Sequence, residues 1–155
     1  KDTDISVGAY HVLELDTDGT KQAEHFINAV GEDLSGRLIP AVEVRLRGLY
    51  RLLPPDYYEA ADNLADFCDR IEKQYGVRPV IYCTERTYKN IVASDSRFNK
   101  DKIWYESLFS KPDEDMDWTF WTYTNRVKFS FYESGEYLHM TVFNGSEDDF
   151  KKLII

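Results

Sequence analysis

The stretch IPAVEVRLRGLYRLLPPDYYEAADNLADFCDRIEKQYGVRPVIYCT, residues 39–84, decides the fold. Residues 38–46 read as a strand with Pro40 near its start, where a missing N–H is tolerable, and Gly48 closes it. After Pro54 and Pro55, the residues Tyr57, Ala61, Leu64, Cys68, Ile71 and Tyr75 recur at the spacing of a long amphipathic helix that Gly76 stops. PVIYCT, residues 79–84, then has the β-branched and aromatic density of a buried strand. Strand, long helix and strand in succession predict parallel strands joined by a helical crossover.

The same alternation extends outward in both directions. Upstream, residues 5–13 form an apolar strand-like stretch, and Ala23, Phe26, Ile27 and Val30 mark a helix over residues 20–30 that ends at Gly31. Downstream, residues 87–93 return as a short helix, and residues 103–106 and 118–124 are further strands. The ending changes rhythm: residues 128–133 and 136–143 flank Ser134-Gly135, which predicts a β-hairpin. Ser146 with Asp149 forms a capping box for a short terminal helix carrying Phe150, Leu153 and Ile154. The expected fold class is therefore α/β, a β/α barrel with a β-hairpin-rich C-terminal part. With 155 residues the chain fits one domain over residues 1–155, small for a complete barrel of eight strands and eight helices.

Composition narrows the partners. A net charge of −9 argues against nucleic acid or anionic lipid bound through a broad basic surface. No apolar run approaches the roughly 20 residues of a membrane span, and residues 1–10 hold no basic-then-apolar signal. Cys68 and Cys83 lie in apolar patterns, not in a C-x-x-C pair or at zinc-ligand spacing, so they read as buried free thiols, with a disulfide as the alternative. Neither a metal nor a cofactor is expected.

Five stretches carry a family resemblance: VGAYHV (7–12), IPAVEVR (39–45), RPVIYCT (78–84), WTFWTYTN (118–125) and VFNGSEDDFKKL (142–153). In this order and spacing the chain resembles glycoside hydrolase family 25, the lysozymes that cleave the β-1,4 bond between N-acetylmuramic acid and N-acetylglucosamine. The resemblance implies an irregular TIM-like barrel with a glycan groove at the strand ends, a peptidoglycan or other amino-sugar partner, and an extracellular or cell-envelope setting. It also implies two strands, one bearing an Asp, before the GAYH strand; six barrel positions are visible where eight would be expected.

The departures fall where the family keeps its chemistry. The strand matching IPAVEVR ends in the family in an Asp-x-Glu pair whose Glu is the catalytic acid, and here those positions are Glu43 and Arg45. His139 stands at a family Asp in HMTVFNG, and Thr122 at the Gln of F-W-Q-Y. Glycoside hydrolysis needs a carboxylic acid to protonate the leaving oxygen and a second carboxylate roughly 5–9.5 Å away. Arginine, always protonated, cannot serve as that acid. Glu43 and Arg45, two apart on one strand, point to one face and are placed to form an ion pair, with two solvent-facing strand-end charges as the rival reading.

Glu14 and Glu106 are candidate substitutes that with Glu43 would rebuild a two-carboxylate site, although a strand-end glutamate is ordinarily a solvated charge. His139 has three readings, a base, a sugar hydrogen-bond donor or a satisfied rim histidine; His11 reads as support at the groove, and His25 carries no signal. Tyr10, Tyr82, Trp104, Trp121 and Tyr123 are glycan-binding candidates, because flat aromatic faces pack on sugar rings. Trp121 and Tyr123, alternating on one face, are the best placed, with core packing as the rival reading for each. Three functions are thus in view: a catalytically impaired, glycan-binding lysozyme-like domain; an active muramidase with relocated carboxylates; and a non-enzymatic interaction domain. The last would use the apolar connector 49–53, the tyrosine-rich surface and open sheet edges covered by self-association.

Overall fold

The computed structural model describes residues 5–129 and 137–155. Six strands form one sheet in sequence order: β1 (Tyr10–Val12), β2 (Ala41–Val44), β3 (Val80–Thr84), β4 (Ile103–Glu106), β5 (Phe120–Val127) and β6 (Leu138–Phe143). The first five are parallel neighbours and β6 is antiparallel to β5. The α/β architecture of the barrel type is present, as an open sheet: among the described residues no pairing joins β6 to β1.

Helices α1 (Gly19–Val30) and α2 (Tyr57–Tyr75) cover one face. α2 starts where the Asp56 carboxylate accepts the N–H groups of Tyr58 and Glu59, and it ends at Gly76, whose φ of 73° is the left-handed conformation glycine adopts without a Cβ clash. Its buried stripe, Leu64, Phe67, Cys68 and Ile71, packs on Val42, Val44, Ile81 and Cys83 from the sheet. Each fully buried large side chain there contributes about 1.5–3 kcal/mol. α1 crosses α2 at Gly19, where an added Cβ would lie 1.8 Å from the Asn63 carbonyl oxygen. Glycine is required because the two backbones touch.

Beyond β3 the chain makes the helical turn α3 (Glu85–Thr87), continued by a wider turn over Tyr88–Val92. Thr87 is fully buried and donates through its hydroxyl to the Val44 carbonyl at 2.8 Å, tying this turn to β2. The terminal helix α4 (Glu147–Lys151) carries the expected capping box between Ser146 and Asp149. After it, Leu153 accepts from Ile39 N–H at 2.8 Å, which lays the C-terminal residues beside the start of β2. Cys68 and Cys83 are free and buried, and burial raises both thiol pKa values.

The hairpin expected at the end is present, between β5 and β6. The antiparallel partner of β6 is β5, in the register Phe120↔Phe143 and Thr122↔Thr141, with shifts on either side of Thr124. Lys128 and Phe129 lie outside any strand, and the Ser134-Gly135 turn falls outside the described residues. The first strand of this hairpin thus begins at Phe120, earlier than the expected Lys128.

Candidate functional site

Because side chains alternate along a strand, the residues between the core positions point to the sheet face that no helix covers. Tyr10, Ala41, Glu43, Val80, Tyr82 and Trp104 therefore line one cavity of about 760 Å³, joined by Phe120, Thr122 and Thr141 from β5 and β6. Toward the strand starts its lining is apolar, with Leu38, Ile39 and Leu153; its mouth at the strand ends carries Arg45, Arg47, Arg51 and His139. Among the described residues, no group of three or more His, Cys, Asp or Glu side chains could hold a metal.

Arg45 organises the mouth. Its Nη2 donates to Glu106 Oε2 at 2.7 Å and to the Tyr82 hydroxyl at 3.0 Å. Its Nε lies 2.7 Å from Glu43 Oε1, but the N–H is not aimed at that oxygen, so this contact is ionic without an aligned hydrogen bond. Arg47 Nη2 donates to the same Glu43 oxygen at 3.0 Å. Both glutamate side chains are 9% exposed, against 26% for Arg45 and 54% for Arg47. Tyr82 donates its hydroxyl proton to Glu106 and stacks at a tilt on Trp104, 4.9 Å between centroids.

The protonation chemistry follows from these contacts. Burial pulls the Arg45 pKa down, but Glu106, Tyr82 and Glu43 outweigh it and hold the guanidinium above its ordinary value. Burial, then the hydrogen bond to Glu106, pushes the Tyr82 phenol well above its usual range. Neither group releases a proton near neutrality. Glu43, which lines the cavity, and Glu106 share one guanidinium as counter-ion, the ion pair anticipated for Glu43 and Arg45 widened by Glu106.

The remaining candidates separate by position. Glu14 is exposed and borders a smaller adjoining pocket of about 370 Å³ that shares Arg45 and Arg47 with the main one. His139 is exposed and borders the main cavity. Thr122 is buried, accepts from Trp104 Nε1 at 2.8 Å and shares a 2.7 Å hydrogen bond with Thr141. His11 packs flat on Phe67 and contacts Gln22 at 3.1 Å, on the helix-covered face, and His25 is exposed on α1.

Trp121 and Tyr123, expected on the groove face, are on the other one. Phe120 and Thr122 take the inward positions of β5, while Trp121 packs against the core and donates to the Ser107 carbonyl at 3.0 Å. Alternation put the two aromatics on one face but did not say which. Arg51 is masked in sequence by the apolar connector 49–53 in which it lies, whereas Arg47 continues the every-second-residue series of Glu43 and Arg45. Among the described residues, no helix is long and apolar enough to cross a membrane.

Comparison with known proteins bears directly on this architecture. No curated protein matches the chain. Among solved structures it is similar to a family 25 glycosyl hydrolase from Bacillus anthracis, with a TM-score of 0.85 and 30% identity over 99% of this chain and 70% of that one. The bacterial lysozyme from Streptomyces coelicolor matches with a TM-score of 0.75 and 23% identity over 94% of this chain and 70% of that one. A muramidase from Acremonium alcalophilum gives 0.71 and 23%, over 94% and 71%. The sequence profile of glycosyl hydrolases family 25 matches residues 1–130, and the chain belongs to that family, as a lysozyme-like domain.

Proposed function

We propose that this lysozyme-like domain binds amino-sugar glycan of the peptidoglycan type in the 760 Å³ cavity and does not hydrolyse it. One observation carries the reading: Arg45, at the position matching the family's acid, lies between Glu43 and Glu106 with contacts of 2.7 Å to each. A hydrolytic site needs one carboxyl that carries a proton near neutrality beside another that does not. Here the group between the carboxylates is a permanent cation. Tyr82 and Trp104 give the cavity adjacent aromatic faces, and Tyr10, 67% exposed, stands at its side. The partner is a glycan, not a nucleic acid or membrane, and the setting is the cell envelope or outside the cell.

The test titrates the chain with muropeptide fragments while following tryptophan emission, and assays the same mixtures for new reducing ends. Saturable quenching that weakens in Trp104→Ala, with no new reducing ends, supports the reading. Absence of a saturable response removes it.

A second reading has its own support. Glu43 and Glu106 contact one guanidinium and so flank one small space, as a relocated acid–base pair would. It requires glycan hydrolysis that is lost in Glu43→Gln or Glu106→Gln. The third, an interaction domain, draws on Leu49, Leu52 and Leu53, which are 70–82% exposed, and on the outer edge of β1, unpaired among the described residues. It requires self-association that light scattering would detect.

A further inference from the structure

Large apolar side chains stand in solvent beyond the ends of two strands. Leu49, Leu52 and Leu53, after β2, are 70–82% exposed, and Phe109, after β4, is fully exposed. The 3₁₀ turn over Gly48–Arg51 gathers the leucines, since the N–H groups of Leu52 and Leu53 both donate to the Leu49 carbonyl at 2.9 Å. A lone exposed leucine needs no explanation, but a contiguous group marks an interaction surface.

The charges beside the two apolar groups are opposite in sign. Arg51 belongs to the leucine turn, and Arg86 Nη1 donates to the Arg51 carbonyl at 3.3 Å, so both arginines accompany the leucines. Beyond Phe109, the side chains of Asp113, Glu114, Asp115 and Asp117 are exposed, with Lys111 as the cation next to them in sequence. Among the described residues, neither these arginines nor these carboxylates enter an ion pair.

The turn after β3 stands between the two groups. On one side Arg86 reaches the loop after β2. On the other, Tyr88 packs edge-on against Tyr105 of β4, 5.6 Å between centroids. Burial first, then nearby negative charges including those of Asp115, Asp113 and Asp117, raise the Tyr88 pKa, which puts the acidic segment on that same side. The order is therefore leucines with cations, turn, phenylalanine with anions. A two-fold axis through the turn lays the first group of one copy on the second group of another, twice over, and closes the pair.

We propose that this surface is a homodimer interface, in which Arg51 and Arg86 of one copy meet Asp113 and Asp115 of the other, and Leu49, Leu52 and Leu53 cover the other copy's Phe109. The net charge of −9 on each copy does not oppose the contact. At physiological salt the Debye length is about 8 Å, so distant acids are screened while charges in direct contact are not. The inference is independent of glycan binding: Arg86, Phe109 and the four carboxylates do not line the main cavity. Arg51 does, so the second copy reaches the cavity mouth.

The test is sedimentation velocity of the full chain at physiological salt across the micromolar range, where a small interface dissociates. The wild type is expected to pass from monomer to dimer and no further. Arg51→Glu with Arg86→Glu weakens the dimer at least about tenfold, as does Asp113→Arg with Asp115→Arg, because each sets like charges against each other. An equimolar mixture of these two variants dimerises again, since each then meets opposite charge at both contacts. Leu52→Ser, which changes no charge, also weakens the dimer. All of these side chains are exposed, and circular dichroism checks that each variant is folded. A wild type that stays monomeric throughout, a dimer indifferent to either pair of reversals, a mixture that does not reassociate, or assembly beyond the dimer overturns the proposal.

Discussion

The Nη2 of Arg45 on one side of the cavity mouth lies 2.7 Å from Oε2 of Glu106 at the end of β4, and Tyr82 of the intervening β3 donates to the same oxygen. Three adjacent strands thus meet at one carboxylate. Arg45→Met removes the shared counter-ion, leaving Glu106 with the Tyr82 hydroxyl alone and Glu43 with Arg47. Removing one partner of a fully buried pair costs roughly 3–5 kcal/mol. Arg45 is about a quarter exposed, so urea denaturation is expected to show a loss nearer 1–3 kcal/mol. The double variant Arg45→Met with Glu106→Gln recovers part of that loss.

Tyr82 gives an alkaline signature. Its folded-state pKa is raised, by burial and then by Glu106, whereas the unfolded phenol titrates near 10. Between these values the folded state binds more protons than the unfolded one, so stability falls as pH rises from about 10. Tyr82→Phe is expected to flatten this part of the stability–pH curve relative to wild type, in denaturation measured at half-unit steps.

A second ion pair supports the fold away from the site. Arg78 contacts Asp101 at 2.6 Å, and the Asp101 side chain is only 2% exposed. Burial raises the Asp101 pKa even though Arg78 opposes it. Arg78→Ala removes the opposing charge, so the carboxyl pKa climbs further. A raised acid favours the folded state below its unfolded pKa and loses that contribution as pH rises through the folded value. The variant is therefore expected to be about 2–3 kcal/mol less stable at pH 7, with a deficit that narrows toward pH 4.

Thr122 joins two strands through its hydroxyl. Thr122→Val leaves the Trp104 indole N–H without its 2.8 Å acceptor and breaks the contact to Thr141. A loss of about 1–2 kcal/mol in chemical denaturation is expected, with a shift in tryptophan emission.

Sequence legibility followed the range of each physical cause. α2 could be read to the residue because its stripe and its terminating Gly76 are local. The strands were visible as apolar runs, and β4 was bounded correctly at both ends. The closing hairpin was visible too, but the extent and register of its first strand, β5, were not, because a turn signal is local and register is not. In the candidate site, spacing alone put Glu43 and Arg45 on one face, but the third member, Glu106, comes from 61 residues away and needed the β3–β4 register to arrive. Trp121 and Tyr123 failed for a related reason: a period of two distinguishes the faces of a strand without saying which the helices cover. Arg51 was hidden in a segment whose leucines dominate its pattern, yet Leu49, Leu52 and Leu53 are exposed and the arginine meets the cavity.

The most direct test of the central claim, a glycan site whose acid has been replaced by a guanidinium, is mass-spectrometric counting of new reducing ends released from purified peptidoglycan by the wild-type chain. The account predicts none above a heat-inactivated control over a pH range of 4–8, under conditions in which a family 25 lysozyme digests the same substrate. Release by the wild type that disappears in Glu106→Gln or Glu43→Gln would contradict it and identify those carboxylates as a working pair.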